Sequence, residues 1–303
     1  MRTLQGGACL IMALAMCGLT SPRQVQERLP VLSVHTDLVT LSVTVVDGRG
    51  ALVTGLRQED FTVYDDGQSR PIEFFTNQDA PVTIGLVIDS SGSMRGRRDA
   101  IAAAVSAFAA LSHPLDEFFL LNFNDAVWLG LPPSEPFTAD PLLLRAAISA
   151  LPTAGMSALF DGIGRALDHL QLGTRDRKAL VVLSDGGDNA SSQTLQGVTE
   201  NARRSGVVIY SVILFDQDDH EARPRVLRKL ARQTGGNTFT PRRLTDVMTA
   251  FTHIARELRS GYAIGFAPPD RVASGFRSIR VVADAGDGRQ LIVRTREGYY
   301  ARP

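Results

Sequence analysis

The spacing of apolar and polar residues changes twice along this chain. Val39, Leu41, Val43 and Val45 alternate with Thr40, Ser42 and Thr44, the period of two that marks a half-buried strand. Asp47-Gly48-Arg49-Gly50 then supplies turn chemistry. Residues 61–64 run into Asp65-Asp66-Gly67, a hairpin signal, and residues 72–75 follow. This stretch predicts a small all-β module over residues 30–76. From Pro81 the pattern alters. Residues 82–88 are an almost unbroken apolar run, as expected of a strand covered on both faces. Ile101, Val105, Phe108 and Leu111 recur at helical spacing. Further strands are predicted at 118–123, 179–183, 207–214 and 237–240, and helices at 142–151, 159–170, 226–233 and 244–258. Such alternation predicts an α/β domain over residues 80–260, with a doubly wound, mostly parallel sheet flanked by helices.

Past Ser260 the chain returns to β character at 262–266, 278–283 and 291–295, with residues 284–288 read as the turn between the last two. Neither flank is long enough to bury a core alone, since chains below about 40 to 60 residues are marginal. The N-terminal module and the C-terminal segment 261–303 are therefore expected to pair into one β-sandwich, with the α/β domain inserted between them. No internal repeat or low-complexity tract is visible.

Composition narrows the function classes. The 303 residues are 44% apolar and 21% charged, the balance of a globular protein with a substantial core. The 32 basic and 32 acidic residues cancel, which leaves no basic excess for phosphate neutralisation and argues against a nucleic-acid partner. The local arginine groups Arg95, Arg97, Arg98 and Arg223, Arg225, Arg228 read as solvated loop and helix faces. At the N-terminus, Arg2 precedes an apolar run from Ala8 to Leu19, and Thr20-Ser21-Pro22 follows. That run is shorter than the roughly 20 residues of a membrane-spanning helix and has the flanks of a secretory signal over residues 1–22. The expected location is thus periplasmic, cell-surface or secreted. Both cysteines, Cys9 and Cys17, lie inside the signal, so the mature chain needs no disulfide. Leu14-Ala15-Met16-Cys17 loosely resembles a lipoprotein cleavage box. Met16 stands where a small residue is usual, which argues against a lipid anchor at Cys17. No later segment is long and apolar enough to cross a membrane.

The candidate chemistry lies at strand ends. Asp89-Ser90-Ser91-Gly92-Ser93 directly follows the buried run 82–88, at the carboxyl edge where open α/β sheets place their ligands. An alternating Asp-x-Ser-x-Ser on a turning loop can aim one carboxylate and two hydroxyls at a common point. The strand 179–183 ends in Ser184-Asp185-Gly186-Gly187 and brings a second carboxylate to the same edge. Between them, Gly155-Met156-Ser157-Ala158-Leu159-Phe160-Asp161 is a loop entering a helix with a hydroxyl at its start.

These three loops resemble the metal-ion-dependent adhesion site of von Willebrand factor type A domains. The likeness covers roughly residues 81–260. The flanking Glu59-Asp60-Phe61-Thr62-Val63-Tyr64-Asp65-Asp66-Gly67 and Glu297-Gly298-Tyr299-Tyr300 resemble segments of bacterial exported proteins that carry such domains. The resemblance implies Ser91, Ser93 and Ser157 as hydroxyl ligands, with Asp89 and Asp185 acting largely through water. Ser157 departs from the family's threonine; it keeps the oxygen and loses a methyl group, so a looser loop around an intact site is expected. An all-oxygen ligand set suits a hard divalent cation, Mg²⁺ first, with Mn²⁺ or Ca²⁺ as alternatives. An open coordination position then implies a protein partner offering a Glu or Asp side chain.

The competing reading is that Asp89 and Ser91 only cap the first helix. Other motifs fail on detail. Asp216, Asp218, Asp219 and Glu221 lack the glycine of a calcium loop. Gly155 to Leu159 lacks the second glycine of a nucleophile elbow, no phosphate-binding Gly-x-x-x-x-Gly-Lys occurs, and the five histidines have no metal-ligand spacing. The expected function is a metal-dependent protein-binding module rather than an enzyme. The alternative is an envelope scaffold whose metal only stabilises the fold.

Overall fold

The computed structural model describes residues 38–149, 153–214, 222–269 and 275–301. The expected signal with Cys9 and Cys17, and the acidic residues 216–221, lie outside the described residues. The N-terminal flank supplies β1 (Val39–Asp47), β2 (Phe61–Asp65), β3 (Gln68–Arg70) and β4 (Phe74–Thr76). The middle segment starts with β5 (Val82–Asp89), α1 (Arg98–Leu111), β6 (Glu117–Phe123), β7 (Val127–Leu129), α2 (Pro141–Ser149) and α3 (Leu159–Leu170). It continues with β8 (Arg177–Ser184), α4 (Leu195–Ser205), β9 (Val208–Ile213), α5 (Pro224–Thr234), β10 (Thr238–Phe239) and α6 (Leu244–Ser260). The C-terminal flank adds β11 (Tyr262–Phe266), β12 (Gly275–Ala283), β13 (Leu291–Arg294) and β14 (Gly298–Ala301).

The middle segment is an α/β domain whose six-stranded sheet runs β10-β9-β8-β5-β6-β7. Its strands are parallel except β7, which lies antiparallel against β6. Every residue of β5 is buried because helices cover both faces. Phe108 of α1 and Phe251 of α6 pack on one side, and Ile163 and Leu167 of α3 with Leu230 of α5 on the other. Each fully buried side chain of this size contributes about 1.5–3 kcal/mol. Crowding on the second face leaves no room at Gly85, where a Cβ would fall 2.4 Å from Leu180 and Phe119 side-chain atoms. One helix, α4, escaped the sequence reading: its buried positions are only Val198, Thr199 and Ala202, too narrow a stripe to stand out. Its ends were nonetheless signalled, by Thr194 accepting from the Gly197 N–H at 3.2 Å and by Gly206 in the left-handed region at φ 68°.

The flanks form two antiparallel sheets, β13-β1-β11-β4 and β14-β12-β2-β3, each mixing strands from both ends of the chain. β1 is long enough to pair with β11 through residues 39–43 and with β13 through residues 44–47. β2 pairs with β12. Leu41, Val43, Phe61, Val63, Ile264 and Val281 from the two sheets share one core, so the flanks make a β-sandwich. Tyr262 fixes the N-terminal loop beneath it, donating to the Val53 carbonyl at 2.9 Å and accepting from the Leu56 N–H at 3.1 Å. Buried Asp65 receives both Nε and Nη2 of Arg277 at 2.8 Å.

Two local readings shift. Asp66 and Gly67, at φ 48° and 78°, turn β2 into β3 as the two-residue hairpin signal required, but the next strand starts at Phe74 instead of Ile72 and joins the other sheet. Residues 284–288 do not close a hairpin, because β12 and β13 belong to different sheets; this turn crosses between the two layers. β14 completes the sheet of β12 and was not read as a strand.

Candidate metal site

Loops leaving β5, β6 and β8 meet at one edge of the α/β sheet. Asp89, the last residue of β5, accepts from the Ser91 N–H at 2.9 Å, an Asx turn that folds the chain back over the strand end. A short 3-10 turn at Gly92–Met94 follows, and α1 begins only at Arg98, with Arg97 at its N-cap. Asp89 and Ser91 therefore do not cap the first helix; the 3-10 turn interposed between them and α1 puts their side chains out of register with its first N–H groups.

The five residues singled out in the sequence lie together. Ser91 Oγ is 3.1 Å from Ser93 Oγ. Ser93 Oγ donates to Asp185 Oδ2 at 2.7 Å. Ser157 Oγ, from the loop entering α3, donates to Asp89 Oδ2 at 3.4 Å. Ser91, Ser93, Ser157 and Asp185 line an open depression of about 290 Å³, with Met156 and Asn189 on its rim. Asp89 is only 2% exposed. Burial pushes its carboxyl up to about 6, against the hydrogen bonds from Ser91 and Ser184, and the nearby Asp185 charge adds to the rise. A dication in the depression would reverse that bias and favour the carboxylate.

Backbone contacts hold the loops in this arrangement. The Ala154 N–H donates to the Ser90 carbonyl at 3.0 Å and the Gly92 N–H to the Gly155 carbonyl at 3.2 Å. Asp185 Oδ1 accepts from the Gly187 N–H at 2.7 Å. Gly186 sits at φ 84°, and a Cβ there would fall 2.5 Å from the Arg223 carbonyl, so glycine is required on both counts.

Three participants were not assigned a role from the sequence. Ser184 Oγ donates to Asp89 Oδ2 at 2.7 Å and accepts from the Gly186 N–H at 3.0 Å. Asn189 clamps Ser157: its Oδ1 accepts the Ser157 N–H at 2.8 Å, while its own N–H reaches the Ser157 carbonyl at 2.9 Å. Asp125 Oδ1 accepts from the Met156 N–H, and Gly155 at φ 86° leaves space for that carboxylate, which a Cβ would approach to 2.6 Å. Asp125 follows the end of β6, so the strand-end rule that found Asp89 and Asp185 could have found it too.

The donor set fits a small, hard cation. Adjacent oxygens of an octahedral shell with bonds of about 2.0–2.1 Å stand about 2.9 Å apart, and the 3.1 Å between the Ser91 and Ser93 hydroxyls is close to that value. Among the described residues no group of three His, Cys, Asp or Glu side chains clusters; the convergence here is two carboxylates with three hydroxyls. His169 is packed between the rings of Phe119 and Phe137, at 4.6 and 5.1 Å.

Residues 84–187 match the family model of the von Willebrand factor type A domain. Comparison with curated proteins gave no match. Among solved structures, von Willebrand factor type A from Catenulispora acidiphila aligns with a TM-score of 0.52 at 14% identity, over 84% of this chain and 72% of that one. Proximal thread matrix protein 1 from the mussel byssus aligns with a TM-score of 0.52 at 15% identity, over 64% of this chain and 51% of its own. At such identities the likeness concerns the fold alone, and the fold agrees with the family match on the segment that carries the site. Residues 84–187 of this chain thus carry a segment that matches the von Willebrand factor type A domain, on a fold shared with solved structures of such domains.

Proposed function

We propose that this protein captures a partner protein outside the cytoplasm, in adhesion or envelope assembly, through a divalent cation at the depression between β5 and β8. Ser91, Ser93 and Ser157 would hold the cation by their hydroxyls, with Asp89 and Asp185 supporting it largely through water. Mg²⁺ is the first choice and Mn²⁺ or Ca²⁺ the alternatives. When bound, the cation supplies an electrophilic position for a Glu or Asp side chain of the partner, because neutral hydroxyls compensate little of its charge. Among the described residues no helix is long and apolar enough to cross a membrane. We assign a binding role and no catalytic one.

The observation that carries this reading is the convergence of the Ser91 and Ser93 hydroxyls at coordination-shell spacing beside the Asp185 carboxylate, on loops already tied to one another. Loops cross-linked by their own backbone have little need of a cation to hold them, which favours recognition over the alternative of an envelope scaffold stabilised by metal. The test is a pull-down from the native envelope with Mg²⁺, with chelator, and with Asp89→Ala. Capture lost on chelation while the protein's melting curve stays within a few degrees supports recognition. Capture unaffected by chelator contradicts it, and a chelator effect confined to the melting temperature assigns the metal to the scaffold.

A further inference from the structure

A second cleft lies where the outer face of the sheet β13-β1-β11-β4 meets the α/β domain. Its floor is built from the side of β1 turned away from the sandwich core. Ser42, Ala263 and Thr76 lie in one cross-strand row, and Thr40, Gly265 and Phe74 in the next. These side chains are mostly small, so the sheet surface is a trough. The cleft encloses about 680 Å³, within the roughly 300–1,000 Å³ of small-molecule sites.

Its wall is cationic. Arg177 and Lys178 enter from the start of β8, Arg204 from the end of α4, and Arg296 from the segment before β14; among the described residues Asp176 is the one acidic residue lining the cleft. None of these four cations makes a direct ion pair with a carboxylate among the described residues, although the charges of Asp79 and Asp116 reach Arg177, whereas their neighbours are paired. Arg294 meets Glu257 at 2.7 Å, Arg259 meets Asp116 at 3.1 Å, and Arg203 and Arg232 share Glu297 at 3.5 and 3.2 Å.

Arg296 is the sharpest case. Its Nη2 donates to the Thr40 carbonyl at 2.9 Å; its Nε is buried with no hydrogen-bond partner, as are those of Arg203, Arg259 and Arg294, but those three have a carboxylate at another nitrogen and Arg296 does not. Burial holds its guanidinium down to about 10 and lowers Arg177 as well. A guanidinium withdrawn from water without an anion is costly. Arg177 and Arg296 carry that cost at this cavity, and Lys178 and the exposed Arg204 add positive charge at its mouth. Leu38 and Phe74, 39% and 43% exposed, add an apolar rim.

We propose that this cleft is a binding site for a small, multiply charged oxyanion, carboxylate or phosphate, held by Arg177, Lys178, Arg204 and Arg296 over the hydroxyls of Thr40, Ser42 and Thr76. The site is at the amino end of β8, opposite the edge that carries Asp185, and does not depend on the metal reading.

The test is calorimetric titration of the full chain, free of divalent cations and at fixed ionic strength, with citrate in one series and inorganic pyrophosphate in the other. Saturable one-site binding of either supports the proposal, and the series that binds names the carboxylate or the phosphate source. Arg296→Met should weaken that binding at least tenfold. Because Arg296 is packed and its loss could disturb folding, Arg204→Ser, at an exposed position, should weaken it at least threefold with an unchanged melting curve. Absence of saturable binding in both series, or binding unaltered in both variants, overturns the proposal.

Discussion

Ser184 Oγ donates a 2.7 Å hydrogen bond to Asp89 Oδ2 and so ties the end of β8 to the end of β5 beneath the candidate metal site. Both side chains are buried. In Ser184→Ala the Asp89 carboxylate keeps the Ser91 N–H but loses its shortest hydroxyl donor. Removing such a supporting group typically lowers metal affinity about 10–100-fold and stability by about 1–3 kcal/mol. Mn²⁺ titration followed by electron paramagnetic resonance, with urea denaturation of the same sample, measures both. Wild-type Mn²⁺ affinity in Ser184→Ala would show that Asp89 takes no part in holding the cation.

Ser157 permits an isosteric comparison. Its backbone is held on both sides by Asn189, so the position of its side chain does not rest on the methyl group that threonine would add. Ser157→Thr is expected to retain cation binding and Ser157→Val to lose it, because the two variants have the same shape and differ only by the oxygen. Equal affinities for the two, measured by isothermal titration, would remove Ser157 from the ligand set.

The sandwich should fail as a unit. β1 draws its hydrogen bonds from β11 and β13, and β2 finds β12 across the sheet. A chain ending after Ser260 loses all three partners and strips Ile264, Val281 and Tyr299 from the shared core. Its residues 38–76 are expected to give collapsed, random-coil amide shifts in a heteronuclear spectrum. Dispersed β-type resonances for that stretch would mean the N-terminal flank folds without the C-terminal one.

The α/β domain was legible because burial on both faces writes itself as unbroken apolar runs, as in Val82 to Ile88. The convergence of the candidate site was legible because Asp89 and Asp185 stand at the ends of such runs. Periodicity was silent where side chains do little packing. α4 buries a thin stripe and was passed over; β14 is four residues long and hides in Gly298-Tyr299-Tyr300-Ala301. Partner choice between sheets was equally hidden, since nothing local in residues 284–288 says that β12 and β13 lie in different layers. Ser184 and Asn189 were out of reach for a related reason. Their roles come from contacts with Asp89 and Ser157, 95 and 32 positions away, and an isolated serine or asparagine at a loop start has no distinguishing pattern.

The proposed function depends on a divalent cation binding among Asp89, Ser91, Ser93, Ser157 and Asp185. Isothermal titration of Mn²⁺ into the wild-type chain and into Asp89→Ala and Ser93→Ala measures that binding. Ser93 is exposed, so its variant reports on the site with little effect on the core. One saturable site in the wild type, weakened at least tenfold in both variants while their circular dichroism stays native, is the expected result. No saturable binding in the wild type, or the same affinity in all three proteins, would contradict a cation site at these residues.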